Sequence, residues 1–132
     1  MGERKTVLVV EDHPELRSEI CGLLGRMGLI AVEAADGSAA VTALASIRPD
    51  LVCLELVLPE SSGYELCELI RRSPAHRDTP VLIMSERAYP EDRAQAAEAG
   101  ADEFIARPFE EEDLQRRIEM LLELNPPVAL AS

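Results

Sequence analysis

The sequence predicts a single α/β domain in which helices cover both faces of a parallel sheet. Five short apolar runs alternate with segments whose apolar residues have helical spacing. Strands that alternate with helices pair in parallel through right-handed crossovers, which gives a doubly wound, three-layer (βα)5 sandwich with a five-stranded sheet. The 132 residues, of which 47% are hydrophobic, suffice for one such core and are too few for two ordinary domains.

The first half of the chain supplies three predicted strands and two helices. The strands are the runs at residues 5–10, 29–34 and 51–55, and the third is continuously apolar, as a strand covered on both faces requires. The first helix begins at Pro14 and stops at Gly28, and the second opens at Asp36 and ends before residue 51. The predicted inward-facing residues are Leu16, Ile20, Leu23, Leu24 and Met27 in the first helix, and Val41, Leu44 and Ala45 in the second.

The second half supplies two strands and three helices. A loop at residues 59–63 precedes the third helix, and a polar connector at 73–79 leads to the fourth strand at 81–84. The fourth helix spans about Glu91 to Ala99, and the fifth strand spans residues 104–106. The last helix begins among the acids at 110–113, which favour the positive end of a helix. The apolar residues of these helices are Leu66, Cys67, Leu69 and Ile70 in the third, and Leu114, Ile118, Leu121 and Leu122 in the last.

The ends and the composition of the chain limit what it does. Residues 1–125 are predicted to form the domain, and 126–132 a flexible tail or truncated linker, because Asn125-Pro126-Pro127 ends a helix. The net charge of −12 argues against a nucleic-acid surface, and no apolar run reaches the ~20 residues that span a bilayer. Three cysteines at no metal-ligand spacing indicate a reducing compartment, so we expect a cytoplasmic protein.

Polar residues follow four of the predicted strands. Glu55 lies within the most apolar stretch of the chain, where a charge is costly unless it is paired or bound to metal. Glu11-Asp12, Ser85 and Arg107 follow the first, fourth and fifth strands. Ligand chemistry in a doubly wound sheet gathers outside the carboxyl ends of the strands, so these residues are candidates for a single site.

Four motifs carry a resemblance to a known family. VLVVEDHPELR, PDLVCLELVLPESSGYEL, PVLIMSE and GADEFIARPF, over roughly Lys5 to Leu124, resemble in order and spacing the receiver domain of two-component response regulators. The resemblance implies a flavodoxin-like sheet with strand order 2-1-3-4-5. It places Glu55 where that family has its phosphate-accepting aspartate and Arg107 where it has a lysine. It also implies a cis peptide bond at Arg107-Pro108.

The resemblance assigns two further residues to a conformational switch. Ser85 matches the hydroxyl residue that swings toward the phosphoryl group in receivers. Phe104 matches the aromatic residue that then turns inward. A serine that begins a loop and a phenylalanine in the core are ordinary features, so these two residues gain weight only together with Glu55 and Arg107.

The acidic strand ends also predict a magnesium site. Glu11, Asp12 and Glu55 would converge within a few ångströms, and Mg²⁺ prefers hard oxygen ligands of this kind. The resemblance implies that Asp12, Glu55 and the backbone carbonyl of Val57 hold the ion, with Glu11 acting through a water. The alternative is that Glu11 and Asp12 cap the first helix. Whether Mg²⁺ or Arg107 engages Glu55 stays open.

Glu55 is predicted to impair phosphoryl transfer and to imitate its product in part. Its carboxylate lies one methylene further out than that of aspartate, and a displacement of ~1 Å costs about two orders of magnitude in such reactions. Glu86 adds an acid that repels a phosphodonor. We expect Arg107 to bind Glu55 through two parallel hydrogen bonds as a fixed substitute for the phosphate contact. A carboxylate has less charge and fewer oxygens than a phosphate, so the imitation is incomplete.

The sequence therefore predicts a pseudo-receiver that signals by protein contact and is not an enzyme. The expected partner is a histidine kinase or a downstream effector that binds the face made by helix four, strand five and helix five, and the domain is expected to be a monomer or weak dimer. One alternative is a receiver that is still phosphorylated, and another is that Glu55 is a tolerated acid without a role in signalling.

Two other functions fit the sequence less well. A Mg²⁺-dependent phosphohydrolase requires a second acid where Val57 stands. A flavin- or nucleotide-binding protein requires a glycine- or hydroxyl-rich turn after the first strand, where this chain has two acids.

Overall fold

A five-stranded parallel sheet forms the centre of the computed structural model, which describes residues 4–123. The order across the sheet is β2-β1-β3-β4-β5, as predicted, and every neighbouring pair is parallel. The strands are β1 (Thr6–Val10), β2 (Ile30–Ala34), β3 (Leu51–Glu55), β4 (Val81–Ser85) and β5 (Glu103–Ala106).

Five helices complete the three predicted layers. They are α1 (Pro14–Arg26), α2 (Gly37–Ser46), α3 (Gly63–Arg72), α4 (Pro90–Ala99) and α5 (Glu111–Leu122). Helices α2, α3 and α4 cover one face of the sheet, and α1 and α5 cover the other. Alternate residues of each strand enter opposite cores: Leu54 packs toward α3, for example, and Cys53 toward α1.

The predicted inward faces of the helices need correction at four residues. Val41 is 44% exposed and Ala45 is exposed, whereas Gly37, Ala40 and Leu44 form the buried stripe of α2. Small apolar residues occupy most positions of α2, so their spacing does not select one face. Leu69 of α3 is 37% exposed, and Leu121 of α5 is only half-buried because the core stripe passes through Leu122.

A tight turn between β3 and α3 shapes the carboxyl end of the sheet. Residues 57–58 pair antiparallel with 61–62 in a two-stranded ribbon, where the sequence predicted only a loop. The amide of Gly63 donates to the carbonyl of Leu56 at 2.7 Å. A Cβ atom on Gly63 would lie 2.8 Å from the carbonyl oxygen of Glu55, so only glycine lets α3 begin this close to β3.

Two predictions concern the chain as a whole. Across residues 4–123, none of the helices combines the length and the apolar character that a membrane span needs. The predicted domain end at residue 125 and the predicted tail at 126–132 lie outside the described residues.

Candidate functional site

Glu55 is buried at the end of β3 with both of its carboxylate oxygens engaged. The residue is 2% exposed. Its Oε2 accepts a hydrogen bond from the amide of Val57 at 3.2 Å, and its Oε1 accepts one from Nη2 of Arg107. The sequence predicted a buried acid that needs a partner, and Arg107 is that partner.

Arg107 reaches Glu55 from β5 across the intervening strand β4. Its amide donates to the carbonyl of Ser85 at 2.9 Å, which fixes its backbone beside the end of β4, and the bond to Pro108 is cis as predicted. Nη2 also lies 3.6 Å from Oε1 of Glu86, while Nε is buried without a partner among residues 4–123. The predicted pair of parallel hydrogen bonds is therefore wrong, because the guanidinium meets the carboxylate end-on through one nitrogen.

Glu11 is the second buried carboxylate of the site. It is 1% exposed, and its Oε2 accepts a hydrogen bond from the amide of His13 at 3.1 Å. His13 is the N-cap residue of α1, and no side chain caps this helix, so the alternative in which Glu11 and Asp12 cap it is wrong. Its Oε1 has no hydrogen-bond partner within the described chain. Asp12 is exposed.

Burial raises the pKa of both carboxyl groups. The pKa of Glu55 rises from an ordinary value of 4.5 to about 7, mainly because burial penalises its charged form, and the nearby charge of Glu11 adds to the rise. The amide of Val57 and the guanidinium of Arg107 act in the opposite direction without cancelling it. The pKa of Glu11 is raised for the same main reason. Arg107 thus offsets only part of the cost of burying Glu55.

The acidic residues of the site have the oxygen donors that Mg²⁺ prefers, but their side chains are not arranged around a common metal position. Glu11 offers an unpartnered buried oxygen, and Asp12, Glu55 and the carbonyl of Val57 are the hard donors that Mg²⁺ prefers. In the part of the chain that the structure describes, no three His, Cys, Asp or Glu side chains form a group ready to hold a metal. Arg107 occupies one oxygen of Glu55 instead.

The two predicted switch residues, Ser85 and Phe104, are both buried. The hydroxyl of Ser85 accepts a hydrogen bond from the amide of Arg87 at 2.9 Å, so it faces its own loop. The ring of Phe104 is 7% exposed, and the guanidinium carbon of Arg93 lies 5.0 Å from the ring centre, within cation–π distance. Their roles in switching stay predictions.

A polar cluster around Asp92 was not predicted from the sequence. Asp92 Oδ1 accepts hydrogen bonds from Nη2 and Nε of Arg87 at 2.9 and 3.2 Å, and Oδ2 accepts one from the amide of Tyr89 at 3.1 Å. The hydroxyl of Tyr64 on α3 donates to the Asp92 carbonyl at 3.3 Å. The hydrogen bond with Arg87 is the main cause that lowers the pKa of Asp92. The cluster fastens the loop after Ser85 to α4 and α3.

The sequence signal for this cluster was an acid at the third position of α4, after Tyr89-Pro90. An acid at that position commonly accepts a hydrogen bond from the backbone amide of the N-cap residue, which is Tyr89 here.

A cleft beside Arg107 connects the site to solvent. Its volume is about 430 Å³. Glu86 on its wall is exposed, whereas Glu55 lies beneath the guanidinium. The cleft is lined by His13, Glu15, Leu16, Glu19, Glu86, Arg107, Pro108 and Phe109.

The fold and the strand-end site define a signalling domain of the receiver type. The family model of the response regulator receiver domain matches residues 7–119, and the chain belongs to this family. Receiver domains work with histidine kinases and effector domains in two-component signalling and are not typical enzymes.

Over most of its length the chain is similar to curated bacterial regulatory proteins. It is 36% identical over 126 residues to the phosphate regulon transcriptional regulatory protein PhoB of Escherichia coli (strain K12), which covers 96% of this chain and 55% of that protein. It is 33% identical over 122 residues to the DNA-binding response regulator MtrA of Mycolicibacterium smegmatis, covering 92% and 52%. The chain therefore spans about half the length of the curated relatives it matches.

Solved structures share the fold closely. A putative response regulator from Chloroflexus aurantiacus superposes with a TM-score of 0.87 at 27% identity, covering 92% of this chain and 99% of that one. The receiver domain of sensor histidine kinase PA1611 from Pseudomonas aeruginosa superposes with a TM-score of 0.84 at 28% identity and the same coverage. That structure is described with a magnesium ion coordinated in its active-site cleft.

Proposed function

We propose that this receiver domain is a pseudo-receiver, which passes on a signal by protein contact with little or no phosphoryl transfer. Glu55 and Arg107 depart from the aspartate and the lysine of the family pattern. The observation that carries the proposal is the buried Glu55 side chain, whose two oxygens are held by Arg107 and by the amide of Val57.

The environment of Glu55 disfavours attack on a phosphodonor. An attacking oxygen must be free and aligned with the phosphorus atom, and positioning supplies much of the catalysis in such reactions. The side chain of Glu55 is only 3% exposed, and Arg107 lies between it and the cleft. Its raised pKa leaves a protonated fraction at neutral pH, which is a weaker nucleophile.

The Glu55–Arg107 pair imitates the phosphorylated state in part. The buried ring of Phe104 supports an active-like arrangement. The Ser85 hydroxyl bonds to its own loop rather than to Glu55, which is a feature of incomplete imitation. A carboxylate also carries one charge where a phosphate carries about −1.5 to −2. The pair therefore biases the conformation without locking it.

Magnesium binding forms a secondary part of the proposal. Glu11, Asp12, Glu55 and the carbonyl of Val57 would hold the ion weakly. Bound Mg²⁺ would supply neutralisation of the clustered acids.

The proposed output surface is the face formed by α4, β5 and α5. The first turn of α4 joins the site to this face, because Asp92 holds the loop after Ser85 while the neighbouring Arg93 covers Phe104. Tyr89 at the start of α4 and Met120 on α5 are large exposed side chains, at 67% and 69%, on these elements. The proposed partner is a histidine kinase or a downstream effector, met in the cytoplasm by a monomer or weak dimer.

A second candidate is a receiver that is still phosphorylated on Glu55. Two observations favour this candidate. The similarity to a transcriptional regulatory protein extends over 96% of the chain, and a cleft leads to the site.

An acyl-phosphate assay separates the two candidates. The protein is treated with a small acyl phosphate and Mg²⁺, and its intact mass is recorded beside Glu55→Asp and Glu55→Gln variants. We expect the native protein and Glu55→Gln to stay unmodified while Glu55→Asp gains one phosphoryl group. Stable modification of the native protein that is lost in Glu55→Gln would support the second candidate and end the first.

A further inference from the structure

We propose that Arg107 and a divalent cation compete for the Glu55 carboxylate. In this proposal the guanidinium of Arg107 occupies the position of a metal ion and prevents metal binding until it is displaced. The inference rests on the geometry of the proposed site. It does not depend on whether Glu55 accepts a phosphoryl group, and its test is therefore separate from the acyl-phosphate assay.

The first support is the occupancy of Glu55. Oε2 is held by the amide of Val57, which belongs to the backbone and cannot move away alone, and Oε1 is held by Arg107. A metal that binds Glu55 must displace one of these donors. Arg107 is the displaceable one, because it is a long side chain attached through a single nitrogen.

The second support is the unpartnered oxygen of Glu11. Oε1 of this residue is buried and accepts no hydrogen bond within residues 4–123. Buried acceptors without donors are rare and costly in folded proteins. A cation bound by Glu11 and Glu55 together would satisfy this atom, whereas Arg107 in its present position does not.

The third support is that Arg107 has an alternative ion-pair partner, Glu86, when it leaves Glu55. Its Nη2 already lies 3.6 Å from Glu86, whose side chain is 80% exposed on the wall of the cleft. A guanidinium displaced from Glu55 would thus remain paired to a carboxylate at the surface instead of being stranded in the interior. The cleft of about 430 Å³ gives this movement room.

Competition raises the apparent Kd for the metal, because only molecules in which Arg107 has left Glu55 can bind it. The apparent Kd equals the Kd of the open site divided by the fraction of open molecules. If the Arg107-bound arrangement holds about 90% of the population, the apparent Kd for the ion is about tenfold higher than that of the open site. Removing the guanidinium should recover this factor.

The test is a Mg²⁺ titration of the native protein, Arg107→Met and Arg26→Met, followed by the backbone amide resonances of residues 55–57. Arg26 lies at the far end of α1, so Arg26→Met makes the same change in net charge away from the site. We expect Arg107→Met to bind Mg²⁺ more tightly than the native protein, by about tenfold at the 90% occupancy above, and Arg26→Met to match the native protein. Equal affinity in all three proteins, or an equal gain in both variants, would overturn the proposal.

Two further measurements establish that the metal binds at Glu55 and that Arg107 is the group it displaces. In the double variant Arg107→Met with Glu55→Gln the gain should disappear, and its persistence would show that the metal binds elsewhere and overturn the proposal. If Arg107→Met does not fold, the native protein decides: Mg²⁺ must shift the Nε–H resonance of Arg107 together with the amide of Val57. A shift of Val57 without one of Arg107 would overturn the proposal.

Discussion

Two arginines at opposite ends of the sheet show how differently one residue type is used. Arg71 of α3 lies at the end where the strands begin. Its Nε donates to the carbonyl of Gly100 at 2.9 Å, its Nη1 to that of Thr79 at 2.7 Å, and its Nη2 to Asp102 at 2.8 Å. Asp102 in turn accepts a hydrogen bond from the amide of Val81, the first residue of β4. Arg71 thus has all three of its nitrogens engaged.

Arg107, at the carboxyl end of the strands, has fewer hydrogen bonds than Arg71. One of its nitrogens meets both Glu55 and Glu86, and its Nε is buried without a partner in the described chain. A fully bonded cation holds its surroundings in place, whereas a partly bonded one is able to exchange partners at low cost. Arg71 therefore serves stability, and the Arg107 end is the adaptable part of the molecule.

The largest predicted effect is a difference in stability between variants of Arg71 and Arg107. Arg71→Met should lower the free energy of unfolding by about 3 kcal/mol, chiefly because the carbonyl groups of Gly100 and Thr79 lose their donor. The ion pair with the exposed Asp102 adds little. Arg107→Met should cost less than half as much, because Glu55 is able to take up a proton once its partner is lost. Urea unfolding of both variants measures this. An equal loss in the two variants would remove the distinction between the two ends.

The next prediction concerns the close packing of Gly63 against the end of β3. Gly63→Ala should destabilise the protein by about 2 kcal/mol, since the added methyl group would press on the side chain of Leu54 and the backbone at Glu55. Gly25→Ala is the matched control, because an alanine Cβ there meets no atom within 4 Å in the exposed part of α1. We expect it to be neutral or to stabilise the helix by about 0.5–1 kcal/mol. Thermal unfolding of both variants measures this difference. A neutral Gly63→Ala would show that the chain around Gly63 moves readily to accept the methyl group.

An effect of similar size is expected from pH. Because the pKa of folded Glu55 is about 7 against an ordinary 4.5, the folded protein holds a proton in this interval that the unfolded chain has lost. The resulting stabilisation is full below 4.5 and disappears as pH rises through 7. From about pH 5 to about pH 8 we expect a loss on the order of 2 kcal/mol.

Urea unfolding in metal-free buffer measures this pH dependence, with Glu55→Gln as the control. The control should lose the part of the slope that Glu55 contributes and keep the part that comes from Glu11, whose pKa is raised too. Identical slopes in the two proteins would mean that Glu55 does not titrate in this range.

The smallest predicted effect is on conformation alone. Asp92→Asn should leave the fold intact and shift the amide resonances of Ser85 and Arg87, because the amide cannot replace the charged bond to the guanidinium. Tyr64→Phe removes only a long hydrogen bond from the same cluster and should produce smaller shifts at the same residues. Two-dimensional amide spectra measure both, and shifts confined to α4 would show that the cluster does not reach the site.

The sequence predicts the architecture well because the three central strands, β1, β3 and β4, are buried on both faces. The predicted bounds of β3 match the structure, since a continuous apolar run that ends at Glu55 leaves little choice. The predicted inward face of α2 was wrong at Val41, where alanine-rich composition hides the period.

The site was predictable in its members but not in its contacts. Glu55, Arg107 and Glu11 all gather at the strand ends, because a parallel sheet brings its carboxyl ends to one edge. The number of hydrogen bonds between Arg107 and Glu55 depends on the direction in which the side chain crosses β4, which no local pattern encodes. The Asp92 cluster joins α3, α4 and a loop, and its charges are ordinary surface charges in the sequence.

The Glu55–Arg107 pair is proposed to set the conformation of the output face in the absence of a phosphoryl group. The most direct measurement compares the ring resonances of Phe104 and the amide resonance of Ser85 in the native protein, Arg107→Met and Glu55→Gln, in metal-free buffer. We predict that both substitutions move these resonances in the same direction, because each breaks the same pair, while Arg26→Met leaves them in place. Unchanged Phe104 and Ser85 resonances in both folded variants would contradict this role of the pair.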